Sequence, residues 1–149
     1  MLLIKIAAVF AMGSAIGVLY RIPRNLLIYA SATGVAGWMV MYLVAKSGIS
    51  TIMANFLGSM VVGVVAEFLA RYLKKPATIF TVPGFIPLVP GREAYTTMKF
   101  MVESQFNEGV AMGMLTLLTG GAIAFGIFAS STLYRLLRVY IDYQVESRG

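Results

Sequence analysis

Long apolar runs separated by short polar breaks organise this chain. The first run extends from Leu2 to Tyr20, with Lys5 near its outer end, and is followed by Arg21-Ile22-Pro23-Arg24-Asn25. A second, Leu26 to Ala45, ends at Lys46-Ser47-Gly48, and a third, from Ile49, ends in Arg71-Tyr72-Leu73-Lys74-Lys75-Pro76. Each is close to the roughly 20 apolar residues a helix needs to cross a hydrocarbon core, which predicts spans over about 2–20, 26–45 and 49–70. The first run has the charge and length of a secretory signal, but further apolar spans follow it and no cleavage site leads into a soluble domain, so it is read as a retained helix. The stretch 77–91 is apolar but short, and it holds Pro83, Pro87 and Pro90. Proline removes a backbone donor and breaks a helix, so a broken segment is expected there. Residues 92–108 are the most polar of the chain. Ala94, Tyr95, Met98, Met101, Val102 and Phe106 recur there at helical spacing, as in a helix lying at the membrane interface. A last span is predicted over 109–133, followed by Arg135, Arg138 and a polar tail, 134–149.

Composition agrees with that pattern. Of 149 residues, 59% are hydrophobic and 12% charged, against about 25% charged in a soluble domain, and the mean hydropathy is +0.83. So few charges cannot cover a globule in water but suit an outer surface made of lipid. The expected fold is an all-α integral membrane protein, one transmembrane domain over 1–149, with four full spans and a short proline-broken segment. There is no cysteine and no histidine. That removes thiolate nucleophiles, disulfides, Fe–S ligands and the commonest general base and metal ligand, so no enzyme chemistry, cofactor or metal is expected. The net charge of +6 does not point to nucleic acid, because the basic residues sit at the ends of apolar runs instead of forming a patch. Three clusters stand out: Arg21 with Arg24, Arg71 with Lys74 and Lys75, and Arg135 with Arg138. Placed together on the cytoplasmic side by the positive-inside rule, they put the N-terminus outside and the C-terminus inside a cell or inner membrane.

Two segments carry candidate chemistry. Val82-Pro83-Gly84 is nearly repeated at Val89-Pro90-Gly91, and irregular backbone at membrane depth is tolerated only inside protein or along a water-filled cavity. Broken segments of this kind form substrate sites in transporters, which makes Pro83, Gly84, Pro87, Pro90 and Gly91, with nearby Tyr95, a candidate substrate site. A re-entrant turn without a ligand is the alternative. In the third span Asn55, Ser59, Gly63, Glu67 and Arg71 follow at four-residue spacing, a polar or small stripe on one helix face. Asn55 and Arg71 are candidate substrate contacts. Glu67, an acidic group in or near the membrane, is a candidate for proton coupling; an ion pair with Arg71 at the interface is the competing reading. Gly13 with Gly17, and Gly109, Gly113, Thr116 and Gly120, mark faces where helices can approach closely. Lys99 and Glu103 are expected to pair weakly.

The stretch from Val82 to Gly91, followed by Ala94-Tyr95, resembles the threonine/serine exporter family. More closely it is similar to the short, YjjB-like form, which matches only part of the full-length exporter. Ile22-Pro23-Arg24, Gly34-x-x-Gly37-Trp38 and Glu67-x-x-Ala70-Arg71 before Pro76-Ala77 are weaker matches. The resemblance implies a helical subunit of a secondary, proton-linked exporter of threonine and serine or of a succinate-like dicarboxylate. It also implies a larger membrane subunit as partner, and it brings no established binding residues. A passive channel subunit and a purely structural membrane subunit are the rival readings.

Overall fold

The computed structural model describes residues 1–146, with side chains through Leu137; the end of the polar tail, 147–149, lies outside the described residues. Among the described residues the fold is all helix. The helices are α1 (Leu2–Leu19), α2 (Arg24–Lys46), α3 (Thr51–Tyr72), α4 (Thr78–Phe85), α5 (Gly91–Val102) and α6 (Phe106–Glu146), with a 3-10 turn at Ile86–Leu88 between α4 and α5. Four of them, α1, α2, α3 and α6, are long and apolar enough to cross a membrane. The proline-bearing stretch forms the short helix and turn of Thr78–Leu88.

Helix ends follow from the polar breaks. Arg21, Gly48, Lys74 and Ser104 all have positive φ and stand just past the ends of α1, α2, α3 and α5. A left-handed residue there turns the chain while the N–H groups beyond it return to the last carbonyls. Ile22 donates to Gly17, Lys75 to Ala70 and Gln105 to Phe100, each at 2.8–2.9 Å. Ser50 caps α3 by accepting from the Met53 amide.

Small residues set the packing, as expected where lipid supplies no hydrophobic drive and helices associate by close contact. Gly13 of α1 lies against Ser31 of α2 and Gly17 against Leu27, so these helices are antiparallel. Ser14 and Ser31 share a hydrogen bond of 2.8 Å across that seam. Gly37 of α2 meets Val62 and the Gly58 carbonyl of α3, while Gly58 meets Met41, again antiparallel. Between α3 and α6, Ser59 lies against Gly126 and Gly63 against Ser130. The sequence separation is the same for both pairs, which only parallel helices maintain. The hairpin of α5 and α6 is antiparallel, with Met101 on Gly109 and Thr97 on Gly113.

These registers place the start of α2 and the ends of α1 and α3 at one end of the bundle, together with Arg135. α4 starts at that end, where Phe80 packs with Leu26, Ala30, Ala66 and Ala70. The chain then runs through the bundle, and Leu88 reaches a second cluster with Val62 and Ile123. α6 is 41 residues long, about 60 Å at the helical rise. It continues past the start of α3, and α5 folds back along that projecting part.

Candidate functional site

A polar solute needs polar partners, and the outward grooves offer almost none. The groove between α1 and α2, about 600 Å³, is lined by residues such as Leu3, Phe10, Val35 and Met39. That between α2 and α3, about 290 Å³, is lined by residues such as Leu57, Met60, Val61 and Val64. Such surfaces match acyl chains. Buried polar side chains lie between the helices instead, and Thr33 of α2 meets Gly84 of α4.

The segment stays helical through Pro83, inside α4, and Pro87, in the 3-10 turn, and leaves helical geometry at Val89 and Pro90. It is held against α2. At Gly34 a Cβ would stand 3.3 Å from the Pro83 carbonyl oxygen and 3.4 Å from that of Gly84. A Cβ on Gly84 would meet Val62 at 2.8 Å and Thr33 at 3.1 Å. Pro83 and Gly84 are buried. The Gly34 and Gly84 pair therefore lets the main chain of α4 lie directly on α2, with the Pro83 and Gly84 carbonyls at the helix interface.

Buried hydroxyls around this contact are mostly satisfied within their own helices. Ser31 donates to Leu27, Thr33 to Tyr29, Ser59 to Phe56 and Ser130 to Ile127, at 2.7–2.9 Å. Among the described residues, two buried side-chain polar atoms have no such partner: Asn55 Oδ1 on α3 and Thr119 Oγ1 on α6. Asn55 is 4% and Thr119 1% exposed. An unpaired polar atom in so apolar a setting is costly, which singles these two out.

The other sequence-derived candidates are scattered. Gly91 is exposed at the start of α5, and Tyr95 is 70% exposed on the same helix. Arg71 lies at the far end, its guanidinium 4.4 Å from the centre of the Tyr134 ring. Thr97, next to Tyr95 on α5, meets Gly113 of α6, so Tyr95 and Arg71 are separated by about 30 Å along α6. The expected ion pair between Glu67 and Arg71 is not formed. Arg71 stacks on an aromatic ring instead, and the ion pair found among the described residues is the Lys99–Glu103 one, at 3.8 Å. Ser59 and Gly63 of the stripe form a packing seam against α6. In α6 the seam is made by Gly126 and Ser130, with Ile123 packed in one cluster with Val62, while Gly109 and Gly113 face α5 and Gly120 has open space beside it. Thr119 escaped the sequence reading. Its signal was the recurrence of small or polar residues at 119, 126 and 130, one helical face.

The family model for the threonine/serine exporter ThrE matches residues 4–133. A similar protein is an uncharacterised one from Haemophilus influenzae, 28% identical over 137 residues that cover 86% of this chain and 45% of that protein. The chain thus spans less than half the length of this curated relative. No solved structure matches it. With four helices long and apolar enough to cross a membrane and the family match extending over nearly all of them and the segment between α3 and α6, the chain belongs to the threonine/serine exporter family.

Proposed function

We propose that this chain is the smaller subunit of a secondary exporter in the cell or inner membrane, carrying a small polar metabolite that bears a carboxylate: threonine, serine or a succinate-like dicarboxylate. One observation carries the reading. A chain of this transporter family holds a short, proline-bearing helix inside its bundle, with the carbonyls of Pro83 and Gly84 laid on Gly34 and the helical path broken at Val89 and Pro90. Broken backbone at that depth is the common element of substrate sites in secondary transporters. A larger membrane subunit is its partner on this reading, which is supported by a relative more than twice as long as the matched region.

The orientation proposed is N-terminus outside and C-terminus inside. Arg21, Arg24, Arg71, Lys74, Lys75 and Arg135 all gather at one end of the bundle, the pattern of a cytoplasmic face. In that orientation the broken segment, from α4 through the 3-10 turn into α5, crosses from inside to outside and returns the chain for α6. Pro83, Gly84, Pro87, Pro90, Gly91 and Asn55 belong to the substrate path. Tyr95 would act at its outer mouth and Arg71 at its inner one. Glu67, half-buried and without an ion-pair partner among the described residues, is the proton-coupling group.

The test is efflux of threonine, serine and succinate from cells that express this chain with and without the larger family member. Export that requires both chains supports the subunit reading, and the solute that leaves identifies the substrate. Replacing Pro83 and Pro87 by alanine is expected to abolish that export while the protein still inserts; normal export would remove the break from the path. Glu67→Gln is expected to flatten the pH dependence of efflux, and an unchanged profile would remove Glu67 from coupling.

A further inference from the structure

The turns after α1 and α3 have the same construction. After α1, the amides of Tyr20, Arg21 and Ile22 donate to the carbonyls of Ile16, Val18 and Gly17. After α3, those of Leu73, Lys74 and Lys75 donate to Leu69, Arg71 and Ala70. A proline follows in each, and the Pro23 and Pro76 carbonyls accept from the Leu26 and Ile79 amides. The left-handed residue is Arg21 in one turn, at φ 55°, and Lys74 in the other, at φ 52°. Such a position favours glycine, and the turn after α2, at the opposite end, has Gly48 there. At this end both turns instead fix a cation on a backbone tied down by its own hydrogen bonds.

The two turns meet in space. Ile22 from the first and Leu73 and Ala77 from the second pack around one cluster, that of Phe80 with Leu26, Ala30, Ala66 and Ala70. Beside it a groove of about 270 Å³ opens between the end of α1 and α4, lined by Tyr20, Ile22, Thr78, Ile79 and Val82. α4 starts at this end, so Thr78 lies at the surface and Val82 one turn deeper. The groove thus has hydroxyls at its mouth, on the exposed Tyr20 and Thr78, and an apolar wall below. Arg21 stands between two lining residues in the chain, and Lys74 and Lys75 shortly precede Thr78; all three cations are exposed. Among the described residues none of them is in an ion pair, and the pair that forms, Lys99–Glu103, is at the other end.

We propose that this groove binds an anionic phospholipid, with its phosphate held by Arg21 and the Lys74–Lys75 pair at the mouth and an acyl chain lying along Ile79 and Val82. Charge complementarity selects the headgroup, and basic pockets between spans are sites for anionic lipids. A zwitterionic lipid would bring its own cation against three others. A free phosphate would leave the apolar wall unused. The positive-inside rule gathers basic residues at this end in any arrangement, but it does not require them on left-handed turns at either side of a groove. Val82 faces the groove while Gly84 faces Val62 and Thr33, and the Pro83 carbonyl lies on Gly34. The lipid site and the proposed substrate path therefore use different faces of α4, and the site is tested without export.

The test is native mass spectrometry of the purified full chain in detergent, titrated with phosphatidylglycerol or phosphatidylcholine. Phosphatidylglycerol is expected to bind at low occupancy number and to survive a matched concentration of inorganic phosphate, and phosphatidylcholine is expected not to bind. Arg21→Gly with Lys74→Gly removes both turn cations while easing the left-handed backbone, so the fold is kept. Phosphatidylglycerol affinity should then fall about thirtyfold, the loss of two charges beside an anionic headgroup. Lys46→Gln with Arg92→Gln removes the same charge from the opposite end and is expected to leave the affinity unchanged. Equal binding of phosphatidylcholine, unchanged affinity in the glycine pair, or an equal loss in the control pair overturns the site. Displacement of the lipid by inorganic phosphate overturns it in favour of a free anion. The lipid series on the unaltered chain decides the matter even if a variant fails to insert.

Discussion

Ser59 of α3 fills the hollow left by the missing side chain of Gly126 on α6. A Cβ on Gly126 would also stand 2.6 Å from the Phe56 carbonyl oxygen and 3.2 Å from the Met60 nitrogen, so the two backbones are in direct contact. One turn further, Gly63 receives Ser130 in the same way with the roles reversed. The result is a seam between parallel helices held by close packing, with each serine hydroxyl bonded back to its own helix.

Gly126→Leu is expected to force α6 off α3. Overpacking of a tight contact costs about 1–3 kcal/mol, and here the obstruction is main chain that cannot swing away. Thermal unfolding in detergent should show a clear loss of stability. Gly121→Ala is the control. That position has nothing within 4 Å, and alanine favours a helix interior over glycine by about 1 kcal/mol, so no loss is expected. Equal destabilisation by the two changes would refute the seam.

The break depends on Gly34 as the seam depends on Gly126. Gly34→Val adds bulk where the Pro83 and Gly84 carbonyls lie and is expected to displace the broken segment. Export should fall to background while membrane abundance stays within about twofold of the unaltered chain, since valine keeps α2 apolar and the other three long helices that drive insertion are untouched. Export that survives Gly34→Val would mean that the position of the break on α2 does not matter to transport.

Much of this architecture was legible in the chain. The apolar runs and their polar stops gave α1, α2, α3 and α6; the clustered prolines marked the short segment between α3 and α5, but it stays helical through Pro83 and Pro87 and breaks only at Val89 and Pro90. Gly13 and Gly17 announced a close approach, and they make one with Ser31 and Leu27. The partners of a face were harder to read. α6 carries one small-residue face at Gly109 and Gly113 and another at Gly126 and Ser130. Periodicity marks both faces without saying that α5 covers the first and α3 the second. Arg71 shows the same limit. Glu67 lies four residues away on the same helix, the spacing of an ion pair, yet Tyr134 reaches the guanidinium from another helix.

A double-mutant cycle separates those two partners. Arg71 and Tyr134 are expected to show a coupling of about 0.5–1 kcal/mol, the range for a cation over an exposed ring. Glu67 and Arg71 are expected to show a coupling near zero. Unfolding of the variants Arg71→Gln, Tyr134→Leu and Glu67→Gln, singly and in pairs, gives both values. A larger coupling for the carboxylate would restore the ion pair and weaken the case for Glu67 as a free proton carrier.

The lack of cysteine makes the proposed orientation directly testable by single-cysteine labelling. Ser47, in the turn between α2 and α3, and Gln105, between α5 and α6, are exposed at one end of the bundle; Lys75, after α3, is exposed at the other. With a charged, membrane-impermeant maleimide, Ser47→Cys and Gln105→Cys are expected to react in intact cells and Lys75→Cys only after permeabilisation. The reverse pattern would invert the bundle. Labelling of Ser47→Cys and Gln105→Cys from opposite sides would mean that the stretch from α4 to α5 does not cross. The parallel packing of Ser59 on Gly126 rules against that outcome, because α3 and α6 can run the same way through a membrane only if the chain between them returns across it.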